Sequence, residues 1–169
     1  SFISFSSYAD QLTIISPHRK SIETEIVPLF VTYYKNKTGQ DIKVDWIDQG
    51  GTENDLRYIK SKYQSNPNSS SIDVFWGGGD ICFEELDKYG YLESYKLSQE
   101  LDTQLPKTHA GKELRSDRNT WYAAAISSFG LFYNKKMLSM LKLVSPKSWR
   151  ELTEKEYFGN ISSSDPRRS

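Results

Sequence analysis

Three short segments combine residue types that let a ligand reach the backbone: Ser16-Pro17-His18, Gly50-Gly51-Thr52 and Gly77-Gly78-Gly79-Asp80. Each follows an apolar run and precedes an amphipathic one, so each is expected at a strand-to-helix turn. At such a turn the free N–H groups and the helix dipole favour an anionic or strongly polar group, by about 0.3–1 kcal/mol per helix. The plainer use of the same residues is structural, since glycines make tight turns and Thr52 and Asp80 can cap helices. Three such loops on one sheet edge point beyond that plainer use.

Catalytic groupings are missing. There is no Gly-x-Ser-x-Gly elbow, no His-Glu-x-x-His and no Cys–His pair at a recognisable spacing. Gly77-x-Gly79 lacks the third glycine of a dinucleotide fingerprint, because Cys82 stands there, and Asp80 would repel a pyrophosphate. No Walker-type Gly-Lys-Ser/Thr occurs either. Cys82 is the sole cysteine, which excludes an internal disulfide, and with only His18 and His109 to help it does not make a zinc site. No cofactor, metal or catalytic residue is therefore expected. His18 reads either as a ligand contact or metal ligand, or as a surface histidine at a helix entry, and His109 as solvent-facing. Trp76 precedes the triple glycine, so it either walls a ligand site or closes the top of the core.

The elements that must position these loops follow from periodicity. Leu12–Ser16 reads as a short buried strand broken by Pro17. Ile22, Ile26, Leu29, Phe30, Tyr33 and Tyr34 then mark one face of a helix stopped by Gly39, with Pro28 predicting a kink or a late start. Ile42–Ile47 alternates as a half-covered strand does. Thr52-x-x-Asp55 resembles a capping box for a helix that buries Leu56, Ile59 and Tyr63. Ile72–Trp76 is a third strand, followed by a helix carrying Phe83, Leu86 and Tyr89. Three β–α units in succession imply an α/β fold with a parallel sheet flanked by helices.

The rest is less regular. Residues 94–120 show only a possible short helix near Ser98–Leu105. Trp121–Ser127 and Phe129–Asn134 read as strands separated by Ser128, and Lys135–Leu143 as a helix. Ser148-x-x-Glu151 is a capping box for a further helix burying Trp149 and Leu152, and Asn160–Ser164 reads as a last strand. The chain has 169 residues, enough for one domain with its own core. Lys plus Arg equals Asp plus Glu, at 22 each, and no like-charge run is present, which argues against a nucleic-acid partner. No apolar stretch approaches the roughly 20 residues that would span a bilayer. Ser1–Gln11 lacks the features of a targeting signal, so such a signal is expected to be absent or already removed.

The motifs in order resemble the N-terminal lobe of the bacterial extracellular solute-binding proteins of the ferric-iron and sugar-phosphate type, family 1-like, that serve ABC importers. The matching pieces are Leu12–Ser16, Lys37-Thr38-Gly39 before a strand, Ile72–Gly79, Phe129–Asn134, Pro146–Leu152 and Asp165–Ser169. The resemblance implies one lobe of a type II periplasmic binding fold, with residues 1–11 as an extension and 12–169 as the lobe, ending near the interlobe hinge. It also implies a second lobe on the same polypeptide, a small polar or anionic solute held between the lobes, and a membrane permease as partner. The place implied is periplasmic or extracellular, with or without a membrane anchor, and the resemblance implies a protein that is not an enzyme.

Under this reading the first-lobe contacts are Ser16, His18, Gly51, Thr52, Gly78, Gly79, Asp80, Ser127 and Ser128, acting by neutral hydrogen bonding and helix-dipole attraction. Gly78→Val is expected to spare the fold more than it spares capture. The isolated lobe is expected to bind at millimolar affinity or not at all, because one wall cannot enclose a small solute. The β–α alternation alone also permits a small flavodoxin-like or nucleotide-dependent enzyme, or the ligand-sensing lobe of a membrane receptor.

Overall fold

The computed structural model describes residues 10–127 and 130–163. The chain divides into two compact units, Ser1–Ala124 and Ala125–Ser169.

In the first unit the β-branched run of β1 (Asp10–Ile15) forms the middle strand of a parallel sheet, between β2 (Ile42–Ile47) and β3 (Val74–Phe75). Asp10 stands opposite Ile42 and Ile15 opposite Ile47, so the whole of β1 is paired on that side. On the other side Ile14 faces Val74 and Ile15 faces Phe75. Parallel neighbours require crossovers, and α1 (Lys20–Thr38) and α2 (Thr52–Ser65) supply them, with α3 (Asp80–Lys88) following β3. The expected α/β class with a parallel sheet and flanking helices is what the chain adopts. Ile14 and Ile15 are both buried although successive strand residues point to opposite faces, so both faces of β1 are covered. Ile15 packs with Leu56 and Ile59 of α2 and Cys82 and Leu86 of α3 in the core cluster, with Ile47, Tyr63 and Phe75 around it.

Two details of this unit differ from the sequence reading. The ladder of β3 has only Val74 and Phe75 where Ile72–Trp76 was expected, because the Asp73 carboxylate occupies part of the edge by accepting the Thr13 N–H at 2.7 Å. The backbone bonds Asp73 N–H to Thr13 O and Trp76 N–H to Ile15 O, each 2.9 Å, still hold both ends of the segment in strand alignment. The second difference is α1, which starts well before Pro28 and buries none of its residues. Val27, Phe30, Val31 and Tyr34 are its half-buried face, whereas Ile26, Leu29 and Tyr33 of the expected face are exposed. The offsets of 3, 4 and 7 are satisfied by both sets, and only packing selects between them. Gly39 ends the helix in the left-handed conformation as its position predicts, donating to Lys35 O.

Residues 94–122 contain α4 (Gln99–Gln104), capped by Ser98 Oγ, which accepts from the Leu101 N–H, and a hairpin of β4 (Thr108–His109) with β5 (Lys112–Glu113). The hairpin leaves His109 exposed, as expected. This stretch is fastened to α3 by the Arg118 guanidinium, which reaches both the carboxylate and the backbone carbonyl of Asp87.

The second unit holds α5 (Lys135–Met140) and two single 3-10 turns, Glu151–Thr153 and Lys155–Tyr157. The strands read at Trp121–Ser127 and Phe129–Asn134 are not formed among the described residues, and an isolated Arg115–Tyr122 bridge, in the first unit, is what pairing there is; Ser128 and Phe129 lie outside the described residues. Residues 160–163 form no strand either. A strand needs a neighbour to take its N–H and C=O groups, and β propensity alone does not supply one. Helix α5 stops before Leu143 because Lys142 turns left-handed at φ 55° and Leu143 N–H closes on Leu138 O. The Ser148 box forms, with Ser148 Oγ accepting from Glu151 N–H and Glu151 Oε2 from Lys147 N–H. It starts a 3-10 turn rather than an α-helix, and Trp149 stays exposed.

Candidate functional site

All three strands run the same way, so the loops that leave β1, β2 and β3 emerge at one edge. The first begins with Ser16, which is fully buried and donates its N–H to Ile47 O at 2.9 Å. Its Oγ accepts from the His18 N–H at 3.2 Å and shares a 2.9 Å hydrogen bond with His18 Nδ1. The imidazole is thereby held half-buried, with its ring centroid 5.3 Å from that of Trp76. Trp76 in turn meets the Trp46 ring edge-on at 5.5 Å. Trp76 therefore joins the ends of β2 and β3 to the first loop.

The second loop leaves β2 through Asp48 and the pair Gly50 and Gly51, whose φ values of +85° and +131° suit glycine alone. Gly51 is the N-cap of α2 and Thr52 its first residue, with no side-chain cap on the helix. This corrects the capping-box reading: Thr52 does not cap, and Asp55 reaches back to the Gln49 N–H at 2.9 Å instead. Thr52 is left free to face the third loop.

There Gly77 and Gly78 have φ values of +100° and +87°. A Cβ on Gly77 would sit 2.3 Å from His18 Cε1, and one on Gly78 would sit 2.6 Å from Thr52 Cγ2. The first loop thus touches the third at His18–Gly77, and the second touches it at Thr52–Gly78. Glycine is required at both places by backbone angle and by space. Gly78→Val therefore strains the loop itself, and the expectation that it mainly affects capture is replaced by one in which fold and site both suffer. Gly79 is the N-cap of α3, again with no side-chain cap. Asp80 accepts from the Ile81 N–H at 3.1 Å and lies 3.7 Å from Lys112 Nζ, so its charge is partly answered.

Of the anticipated contacts, Ser16, His18, Gly51, Thr52, Gly78, Gly79 and Asp80 all lie in these three loops. Ser127 is exposed in the second unit, and Ser128 lies outside the described residues. The anticipated contacts left out three residues that shape the edge, Gly77, Trp46 and Asp55. Gly77 was visible as the first of a glycine triplet, whereas Trp46 carries no local mark beyond its place near the end of a strand. Cys82 is buried behind the third loop, and burial pushes its thiol up to about 11, which keeps it protonated and unreactive.

Residues 69–169, more than half of the chain, match the family described as bacterial extracellular solute-binding protein. The chain belongs to this family. No curated protein matches it. Membership makes this solute-binding chain a capturer of a small solute for import, working outside the cytoplasm and delivering to an ABC permease. Among the described residues no helix is long and apolar enough to cross a membrane. The matched stretch includes the third loop but begins after the first two, whose part in the edge rests on geometry.

Proposed function

We propose that the edge formed by Ser16–His18, Gly51–Thr52 and Gly78–Asp80 is one wall of a cleft in which the protein captures a small polar or anionic solute. The observation that carries this reading is the double contact of the loops, His18 on Gly77 and Thr52 on Gly78. Two helices begin there without a side-chain cap from the N-cap residue, which leaves the Thr52 and Glu53 N–H groups of α2 and the Asp80 N–H of α3 for an acceptor, the Ile81 N–H being taken by the Asp80 carboxylate. A solute in this position meets hydroxyl, imidazole and backbone donors, with the Asp80 carboxylate and its partner Lys112 at one end of the edge, which favours a compact acceptor-rich molecule. A second lobe on the same polypeptide supplies the opposite wall, since enclosing a small ligand requires both. The chemistry asked of the site is binding and release.

Calorimetric titration tests this with a panel of inorganic phosphate, sulfate, sugar phosphates, simple amines and apolar solutes. Anionic or polyhydroxylated members are expected to bind, with His18→Ala and Thr52→Ala each weakening affinity at least tenfold. Binding confined to amines or apolar solutes, or unchanged affinity in both variants, refutes the assignment. Restoring a second lobe is expected to raise affinity by several orders of magnitude over the 169-residue chain.

A further inference from the structure

Gly50 and Gly51 give the second loop no side chain with which to hold its own shape, and a glycine pair explores far more backbone conformations than it uses. Within the loop Asp48 Oδ1 accepts the Gly50 N–H at 2.7 Å. The first turn of α2 holds Gln49 from outside. Asn54 Nδ2 donates to Gln49 O at 2.9 Å and to Gly50 O at 3.4 Å, while Asp55 Oδ1 accepts the Gln49 N–H at 2.9 Å. Gln49 is thus strapped at both its carbonyl and its amide by consecutive helix residues. The two straps are unequal. Asn54 works at the surface, where water competes, whereas Asp55 is fully buried, where a hydrogen bond to a carboxylate holds more strongly.

The Asp55 carboxyl also breaks a rule. Its second oxygen, Oδ2, is buried with no hydrogen-bond partner. A side chain selected only to stabilise the helix start would avoid this, and rule-breaking of this kind concentrates where position matters to function. We propose that Asp55 is a positioning residue for solute capture: its carboxyl latches the Gln49–Gly51 turn from within α2 and so sets Thr52 against Gly78. This rests on the reading of the three-loop edge as the solute wall.

Amide hydrogen exchange by NMR tests the latch in the full chain. Asp55→Ala is expected to speed exchange at Gln49 at least tenfold while the Ile15 amide in β1 keeps its protection. Asp55→Asn, which retains an acceptor at Oδ1, is expected to stay within about threefold of wild type. Wild-type protection of Gln49 in Asp55→Ala, or exchange in Asp55→Asn as fast as in Asp55→Ala, overturns the proposal. Should the alanine variant not fold, the wild type decides: a scalar coupling across the hydrogen bond from the Gln49 amide nitrogen to the Asp55 carboxyl carbon is expected, and its absence rejects the latch. Positioning, as distinct from mere stability, is read with inorganic phosphate as probe. Phosphate is expected to shift the Gly51, Thr52 and Gly78 amides in wild type and Asp55→Asn, and at least tenfold more weakly in Asp55→Ala. Equal response in all three removes the positioning role. If phosphate shifts none of them even in wild type, the anion reading of the edge fails, and the exchange result still judges the latch.

Discussion

Residues 10–89 became nearly all of the elements their sequence describes, whereas residues 130–163 kept the helix that starts at Lys135 but neither the expected strands nor a helix after Ser148. Around β1 every local preference is backed by something distant: Asp10–Ile15 is paired along its length with β2, and the strand ends are tied to β3. The core residues Ile15, Leu56, Ile59, Cys82 and Leu86 come from three separate elements. In the second unit Pro146 and Tyr157 are the buried residues among those described, while Phe132, Trp149 and Phe158 stand exposed. Propensity there has no partner strand and little buried area to add to it, so it yields turns. The comparison teaches that the loops of the candidate site inherit their precision from the ladder beneath them.

The comparison is broken most directly in the core. Ile15→Ala should cost about 2–5 kcal/mol, as large-to-small changes at fully packed sites do, whereas Phe132→Ala should fall within about 0.5 kcal/mol. Urea unfolding of both variants checks this, and a large loss at Phe132 would mean that its ring has a cover. Next in size is Gly77→Ala. Its left-handed backbone should cost about 1–2 kcal/mol, and its methyl group must displace the His18 ring, so capture should weaken along with stability. Paired unfolding and titration of this variant would show whether the contact between the first and third loops matters to both.

A smaller effect sharpens the view of the second loop. Burial raises the Asp55 carboxyl above the ordinary carboxylate range; its hydrogen bond to Gln49 opposes that, and the Asp48 charge adds to it. The folded state therefore keeps this proton longer than the unfolded chain does. Its stabilising contribution is complete below the ordinary carboxylate range and is lost as pH rises through the raised value. Asp55→Asn cannot ionise, so its stability relative to wild type should grow between pH 3 and pH 7, by on the order of 1 kcal/mol, the low end for a buried unpaired acceptor. Unfolding at the two pH values measures it; a constant difference would show that the carboxyl is not raised. The smallest change is chemical. With its thiol pushed up to about 11, Cys82 should react with a disulfide reagent at pH 8 only as fast as the chain opens. Reaction as rapid as that of a free thiol would place Cys82 outside the core.

Much of the site is legible in residue types and their order alone. Ser16, His18, Gly51, Thr52, Gly78, Gly79 and Asp80 can be singled out because glycine and small hydroxyl residues between an apolar run and an amphipathic one mark strand-to-helix turns. That Thr52 meets Gly78 and His18 meets Gly77 is not legible there, since those pairs are separated in the chain and joined only by the sheet. The role of Asp55 is half visible: it stands at the fourth position of a capping box, but its target is the Gln49 amide rather than the cap residue.

By itself, then, the order of residues determined the α/β class, the succession β1-α1-β2-α2-β3-α3 and the glycine positions, because these depend on short-range periodicity and on backbone angles that few residues tolerate. Tertiary structure decided which face of α1 packs, how short the ladder of β3 is, that residues 130–134 stay out of any ladder, and that three loops touch. The physical reason is the same in each case. Two choices were nearly equal within a few residues of chain, and the difference came from hydrogen-bond partners and buried surface contributed by residues far along it.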